Sequence, residues 1–241
     1  MPAIITNKFR HHNAEKFLTA VTGATNVLYL GIGRPQAYTT STRPDGRTEN
    51  EGVDSGPLLP VDSIQDEYYA FDDLIAAKKL DTTNISYVIP RRNWTSGTVY
   101  DYYRHDYGNR ITGTTTIQTA DSGASTLWDS TFYVLNSENR VYKCLDNNGG
   151  GASTTEPTGN SNNIITTADD YKWKYMYELT STQQLNFLST DFMAVATDSG
   201  VAASNTDGEV NIVKIKSAGS GASVADTHTN IPIRYVAIYY I

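Results

Sequence analysis

One cysteine, Cys144, and four histidines are all the soft metal-ligating side chains in these 241 residues. A lone thiol excludes an internal disulfide and a cysteine-rich metal site. His11 and His12 are neighbours, so on a helix or strand they diverge and do not share a metal. No apolar run approaches the roughly 20 residues that span a bilayer. The opening twelve residues hold only the short apolar run Ala3–Ile5 before Asn7, Lys8 and Arg10, which is not the core of a secretory leader. The expectation is synthesis and assembly in the cytoplasm, with no membrane partner. Cations are scarce as well. The 19 Lys and Arg face 26 Asp and Glu, giving a net charge of −7. Phosphate backbones need clustered cations, so no nucleic-acid partner is expected.

Catalytic motifs are missing too. The chain has neither a Gly-x-Ser-x-Gly elbow nor a Walker loop. Gly31-Ile32-Gly33 lacks the third glycine of a dinucleotide fingerprint, and Pro35 follows closely. It reads as a tight strand exit. His105 beside Asp106 is the best acid–base pair, but no nucleophile partners it. Carboxylate pairs occur at Asp66-Glu67, Asp72-Asp73 and Asp169-Asp170. A glycosidase needs two carboxylates facing across a cleft, and exposed polar faces explain these equally well. The Asp45–Asp54 stretch lacks calcium-hand spacing. The chain reads as a non-enzyme without cofactor or metal.

Aromatics are what it has. They make up 11 % of residues, and 17 are tyrosines. Tyr pairs a large apolar ring with a polar tip, which suits both β-rich cores and wet interfaces.

Periodicity predicts a mostly β chain. Ala3–Thr6 reads as a strand, Asn13 as the cap of a helix through Ala20, and Asn26–Leu30 as a short buried strand. Residues 39–60 are a Gly- and Pro-rich loop. Ser63 opens the best helix, with Ile64, Tyr68, Phe71 and Ile75 at helical spacing and Lys78 and Lys79 at its end. Strands are predicted at 86–89, 97–103, 114–119, 131–135, 141–145, 192–196 and 210–216. Tyr171–Leu179 is the strongest, with Trp173, Tyr175 and Tyr177 on one face and Lys172, Lys174 and Met176 on the other. Ser181 or Thr182 caps a short helix through Leu188. The apolar end, Ile231–Ile241, reads as a strand buried in a sheet, as a partner's edge strand, or as part of a domain that runs on in related chains.

The densest unusual segment is Tyr87-Val88-Ile89-Pro90-Arg91-Arg92-Asn93-Trp94. Arg and Trp dominate interface energetics, so it reads as an interface. A domain-boundary clamp, Arg on carboxylates and Trp in a core, is the alternative.

Four stretches together resemble the baseplate wedge subunits of T4-like contractile-tailed bacteriophages, the gene-eight product type. The first is Ile4–Arg10. The second is Tyr29–Arg34 with Pro60–Ser63. The third is Val88–Trp94. The fourth is Val141–Asp146 followed by Tyr171–Leu179. Their order and spacing over residues 4–195 carry the resemblance; the region after Thr197 does not match. The resemblance implies an α+β, predominantly β fold, with antiparallel β-sandwich material inserted into a small α+β domain built from the chain termini. It assigns residues 1–89 to the N-terminal α+β part, 90–197 to the β-rich insertion and 198–241 to strands returning to the first domain. It implies a virion location in the tail baseplate, a homodimer, contacts with other wedge subunits and no catalysis. On residue type and resemblance, Arg91, Arg92, Trp94, Trp173 and Tyr175 are expected to anchor domains or subunits. The rival expectations are a receptor- or glycan-binding tail protein and a glycoside hydrolase.

Overall fold

The computed structural model describes residues 7–23, 27–33, 64–72, 74–105, 107–108, 119–206 and 211–213. It is α+β and predominantly β, with antiparallel sheets and few helices. The chain divides into two compact units, Met1–Ser86 and Tyr87–Ile241. The predicted segments 3–6, 39–60 and 231–241, with most of 114–119 and of 210–216, lie outside the described residues.

In the first unit, helix α1 spans Asn7–Thr22, starting six residues ahead of the expected Asn13 cap. Thr19 and Thr22 donate their hydroxyls back to Glu15 O and Leu18 O, and Gly23 N donates to Thr19 O at its end. Strand β1, Tyr29–Gly33, pairs antiparallel with β2, Leu74–Lys79. Helix α2 covers Ile64–Asp72 only. The single long helix expected from Ser63 to Lys79 is therefore corrected to a helix followed by a strand. Ile75 sits at helical spacing from Phe71, but pairing with β1 overrides that local pattern. A second correction concerns β1, read from sequence as buried, in which every residue is exposed. Gly31 lies inside this strand and Gly33 is its last residue. A Cβ on Gly31 would meet Leu74 Cδ2 at 2.6 Å.

The second unit is built on a four-stranded antiparallel sheet in the order β4-β5-β7-β6. These strands are β4 Tyr133–Leu135, β5 Arg140–Asn147, β6 Ile165–Thr166 and β7 Tyr171–Glu178. A separate pair joins β3, Val88–Pro90, to β8, Phe192–Ala194. Helix α3, Ser181–Phe187, starts on a capping box made by Thr180 and Gln183. Helix α4, Ser199–Ser204, starts on Asp198, which accepts from Val201 N. Neither β6 nor α4 is evident in the sequence pattern. Residues 97–103, expected as a strand, are irregular; only Thr98 makes an isolated bridge, to Ser153.

Alternation along the strands builds two cores. Val134, Tyr142, Cys144, Tyr171, Trp173 and Tyr175 join Tyr100 and Val201 in one cluster. Tyr133, Leu135, Val141 and Tyr177 join Leu179, Met193 and Ala194 in the other. Neighbouring residues of β4 and β5 thus serve opposite faces. Tyr177 departs from the expected face because the register shifts between the Tyr142–Tyr175 and Val141–Tyr177 pairs. That bulge re-aims the side chain.

Among the described residues seven tyrosines are buried, and all seven lie in this unit. That number decides how the chain uses tyrosine here, because six of the hydroxyls donate to loops, strand ends or a helix cap. Tyr107 reaches Tyr102 O, Tyr133 reaches Pro90 O, Tyr142 reaches Gly159 O, Tyr171 reaches Gly151 O, Tyr175 reaches Asp198 and Tyr177 reaches Ala194 O. Tyr100 OH accepts from Thr95 N at 2.6 Å. Each ring is buried while its tip meets a polar partner, a backbone carbonyl in five of the six donated bonds and the Asp198 carboxylate in the sixth.

Candidate interaction surface

The Pro90–Trp94 segment runs along the edge of the four-stranded sheet. Leu135 N donates to Arg92 O at 2.7 Å, and Trp94 N donates to Leu135 O at 2.9 Å. Arg91 donates from Nε to Asn93 Oδ1 and from a terminal nitrogen to Ser189 O, both at 2.9 Å. Its own N–H reaches Asp191 O. Arg92 donates to Trp128 O at 2.8 Å and stands 5.6 Å from the Tyr133 ring centroid. Its Nε is buried and finds no acceptor among the described residues. Trp94 packs against the first core and donates to Ser153 Oγ at 3.1 Å.

Trp173 is fully buried, stacked on Tyr171 at 5.5 Å and edge-on to Tyr100 at 5.8 Å. Tyr175 is buried edge-on to Tyr142. Burial pushes its phenol up to about 12, and the nearby Asp198 carboxylate adds to the rise. For all five expected anchors, the contacts described above lie within the second unit. Trp173 and Tyr175 fill its core, while Arg91, Arg92 and Trp94 clamp its loops.

Two carboxylates act as staples. Asp101, fully buried, accepts from Ser122 N, Ser122 Oγ, Thr131 N and Thr131 Oγ1. Asp169 accepts from Ser153 Oγ at 2.9 Å, Thr154 N at 2.7 Å and Thr155 N at 3.0 Å, and also from Thr167 Oγ1. Desolvation raises its pKa, but these hydrogen bonds outweigh it and hold the carboxyl down at about 2. Half of the Asp169-Asp170 pair is thus committed to structure. His105 is exposed, and Asp106 lies outside the described residues. Among the described residues, no group of three or more His, Cys, Asp or Glu is placed to hold a metal, and no helix is long and apolar enough to cross a membrane.

What the surface does offer is apolar area. In the β1–β2 ribbon, Tyr29, Leu30, Ile32, Leu74 and Ile75 are exposed, and on α2 Ile64, Tyr68 and Phe71 are too. A two-stranded ribbon is marginal in water and gains stability from a covering layer. Contiguous exposed apolar surface marks interaction sites. In the second unit, Trp128 is 67 % exposed beside Arg92. Sequence reasoning passed over Trp128 because an isolated Trp among Ser, Thr and Asp has no periodic partner.

No family model matches this chain. The chain is 23 % identical over 209 residues to baseplate wedge protein gp8 of Enterobacteria phage T4. The match covers 80 % of this chain and 60 % of that protein. The chain therefore spans about 60 % of the length of the curated relative it matches. The likeness is distant, and it suggests a baseplate wedge-like relationship.

Proposed function

We propose that this chain is a virion structural protein, a baseplate wedge component of a contractile phage tail that acts by protein–protein contacts. The observation that carries the reading is its likeness to a baseplate wedge protein along 80 % of its length. The exposed apolar side chains of the β1–β2 ribbon and of α2 support it, since such surface suits burial in an assembly. On this reading the chain is assembled in the host cytoplasm, pairs with a second copy, contacts other wedge subunits and turns over no substrate. Its action is mechanical. A β scaffold with loops tied down by tyrosine hydroxyls holds neighbours in register.

Size-exclusion chromatography with light scattering tests the pairing. The expected result is a mass of two chains that falls only on strong dilution; one chain at every concentration would overturn the dimer. A glycan-binding reading is favoured by one observation, the exposed Trp128 ring. Retention on a glycan array that Trp128→Ala abolishes would shift the assignment to it.

A further inference from the structure

One row of the four-stranded sheet gathers three cations whose described contacts are carbonyls and aromatic rings. Lys143 on β5 stands directly opposite Lys174 on β7 and, on its other side, opposite Tyr133 on β4. Residues directly opposite in an antiparallel pair share a face, with Cβ atoms about 5 Å apart. Arg92 lies over the ring of that same Tyr133. Arg92, Lys143 and Lys174 therefore follow one another across the sheet, with the buried Tyr133 between Arg92 and Lys143, while Lys172, two residues before Lys174, stands opposite Asp146.

Like charges set directly opposite one another destabilise a sheet. Here neither lysine is relieved by an acid. Lys143 is half-buried with its ammonium 3.9 Å from the Tyr103 ring centroid. Burial lowers it to about 8, and no carboxylate offsets that. Lys174 donates to the Asn162 carbonyl. Arg92 keeps a buried Nε–H without an acceptor. Each cation has a contact of its own, but setting Lys143 opposite Lys174 still costs the isolated fold. A partner that brought negative charge would offset that cost.

We propose that the row Arg92–Lys143–Lys174 is the docking site for an acidic, carboxylate-bearing segment of a neighbouring protein. Charge complementarity selects the occupant. Lysines are point charges that suit flexible Asp and Glu side chains better than they suit planar bidentate recognition. Positions on adjacent strands are about 4.8 Å apart, within reach of carboxylates two residues apart on an extended segment. The exposed Trp128, whose carbonyl accepts from Arg92, supplies an aromatic anchor of the kind that interfaces favour. A phosphate backbone fits worse, because a row of three cations is too short to track a nucleic-acid strand. The proposal rests on the reading of the chain as an assembly protein and names one of its contact surfaces.

The test uses the full chain with an oligoglutamate peptide as probe. Hyaluronate and single-stranded oligothymidylate serve as parallel arms. Binding is followed by calorimetry and by NMR of reductively 13C-methylated lysines. The expected result is oligoglutamate binding that weakens with salt, perturbs Lys143 and Lys174, and is at least about tenfold weaker in Lys143→Met with Lys174→Met. The same variant should melt at the wild-type temperature or above it, because methionine keeps the apolar stem and removes the repulsion. Equal binding by the variant, a clear fall in its melting temperature, or tighter binding of hyaluronate or oligothymidylate would each overturn the proposal. The outcome is independent of whether the chain is found in virus particles, so failure here and failure of the virion assignment are distinguishable.

Discussion

Replacing Asp169 by Asn probes whether one side chain ties the 153–155 loop to the turn before β7. The carboxylate takes Ser153 Oγ, Thr154 N and Thr155 N on Oδ2, and Thr167 Oγ1 on Oδ1. An Asn amide must turn its NH2 toward one of these donor sets, so at least one donor loses its acceptor. Stranding a donor costs about 1–3 kcal/mol, with the low end applying where water can reach. Thr154 is exposed and Asp169 only half-buried, so a loss of about 1–2 kcal/mol is expected. Linkage gives a similar figure. The carboxyl falls from 3.8 to about 2 on folding, which is about 2.5 kcal/mol at one pKa unit per 1.36 kcal/mol. Discounting for solvent screening brings that to about 1–1.5 kcal/mol. A folded pKa below the unfolded one stabilises above the unfolded value, and the contribution is lost as pH falls toward 2. Thermal melts of wild type and variant should therefore differ by roughly 3–6 °C at neutral pH. The gap should shrink steadily from pH 4 to pH 2. Equal melting at neutral pH, or an undiminished gap at pH 2, would refute the assignment of Asp169 as a charged staple.

Three further outcomes follow from the same geometry. Gly108 has φ of +73°, and a Cβ there would lie 2.4 Å from Ser125 O, whereas Gly97 at φ of +85° has nothing within 4 Å. Gly108→Ala should cost about 2–4 kcal/mol in chemical denaturation and Gly97→Ala about 1 kcal/mol; equal costs would mean that the close approach at Gly108 is relieved. Tyr142, Tyr171 and Tyr175 are pushed by burial up to about 12 from 10.0. A raised phenol stabilises below its unfolded pKa and loses that contribution as pH climbs from 10 to 12, so phenolate absorbance of the buried set should appear together with loss of tertiary circular dichroism, not before it. The double change Arg91→Ala with Arg92→Ala removes the hydrogen bonds to Ser189 O, Asn93 and Trp128 O and the contact over Tyr133. It should lower stability by about 2–4 kcal/mol, and an unchanged denaturation midpoint would show that the clamp holds nothing.

The strands of the second unit were legible because alternation and turn residues agree there. Tyr171–Glu178 and Arg140–Asn147 emerge within one or two residues of their predicted bounds. The split of β7 between two cores was not legible, because a one-residue bulge leaves no trace in hydrophobic pattern. The first unit misled for a different reason. Leu74–Lys79 continues the apolar spacing of α2, and only its partner strand, more than forty residues earlier, makes it a strand. Of the surface, Lys172 and Lys174 were visible on one face of a strand. Their alignment with Lys143 and Arg92 depends on register, which the linear pattern does not encode. The Arg91–Trp94 segment stood out by composition alone, and its bonds tie down local loops of its own unit.

The central claim, a structural part of a tail baseplate, is tested most directly by cross-linking mass spectrometry on purified particles of the virus that encodes this chain. The account predicts stoichiometric recovery with the tails and cross-links to neighbouring tail subunits and between copies. Cross-links from the exposed β1–β2 ribbon through Lys78 and Lys79 should be among them. Recovery of the chain only from the soluble fraction of infected cells, with none in the particles, would contradict it.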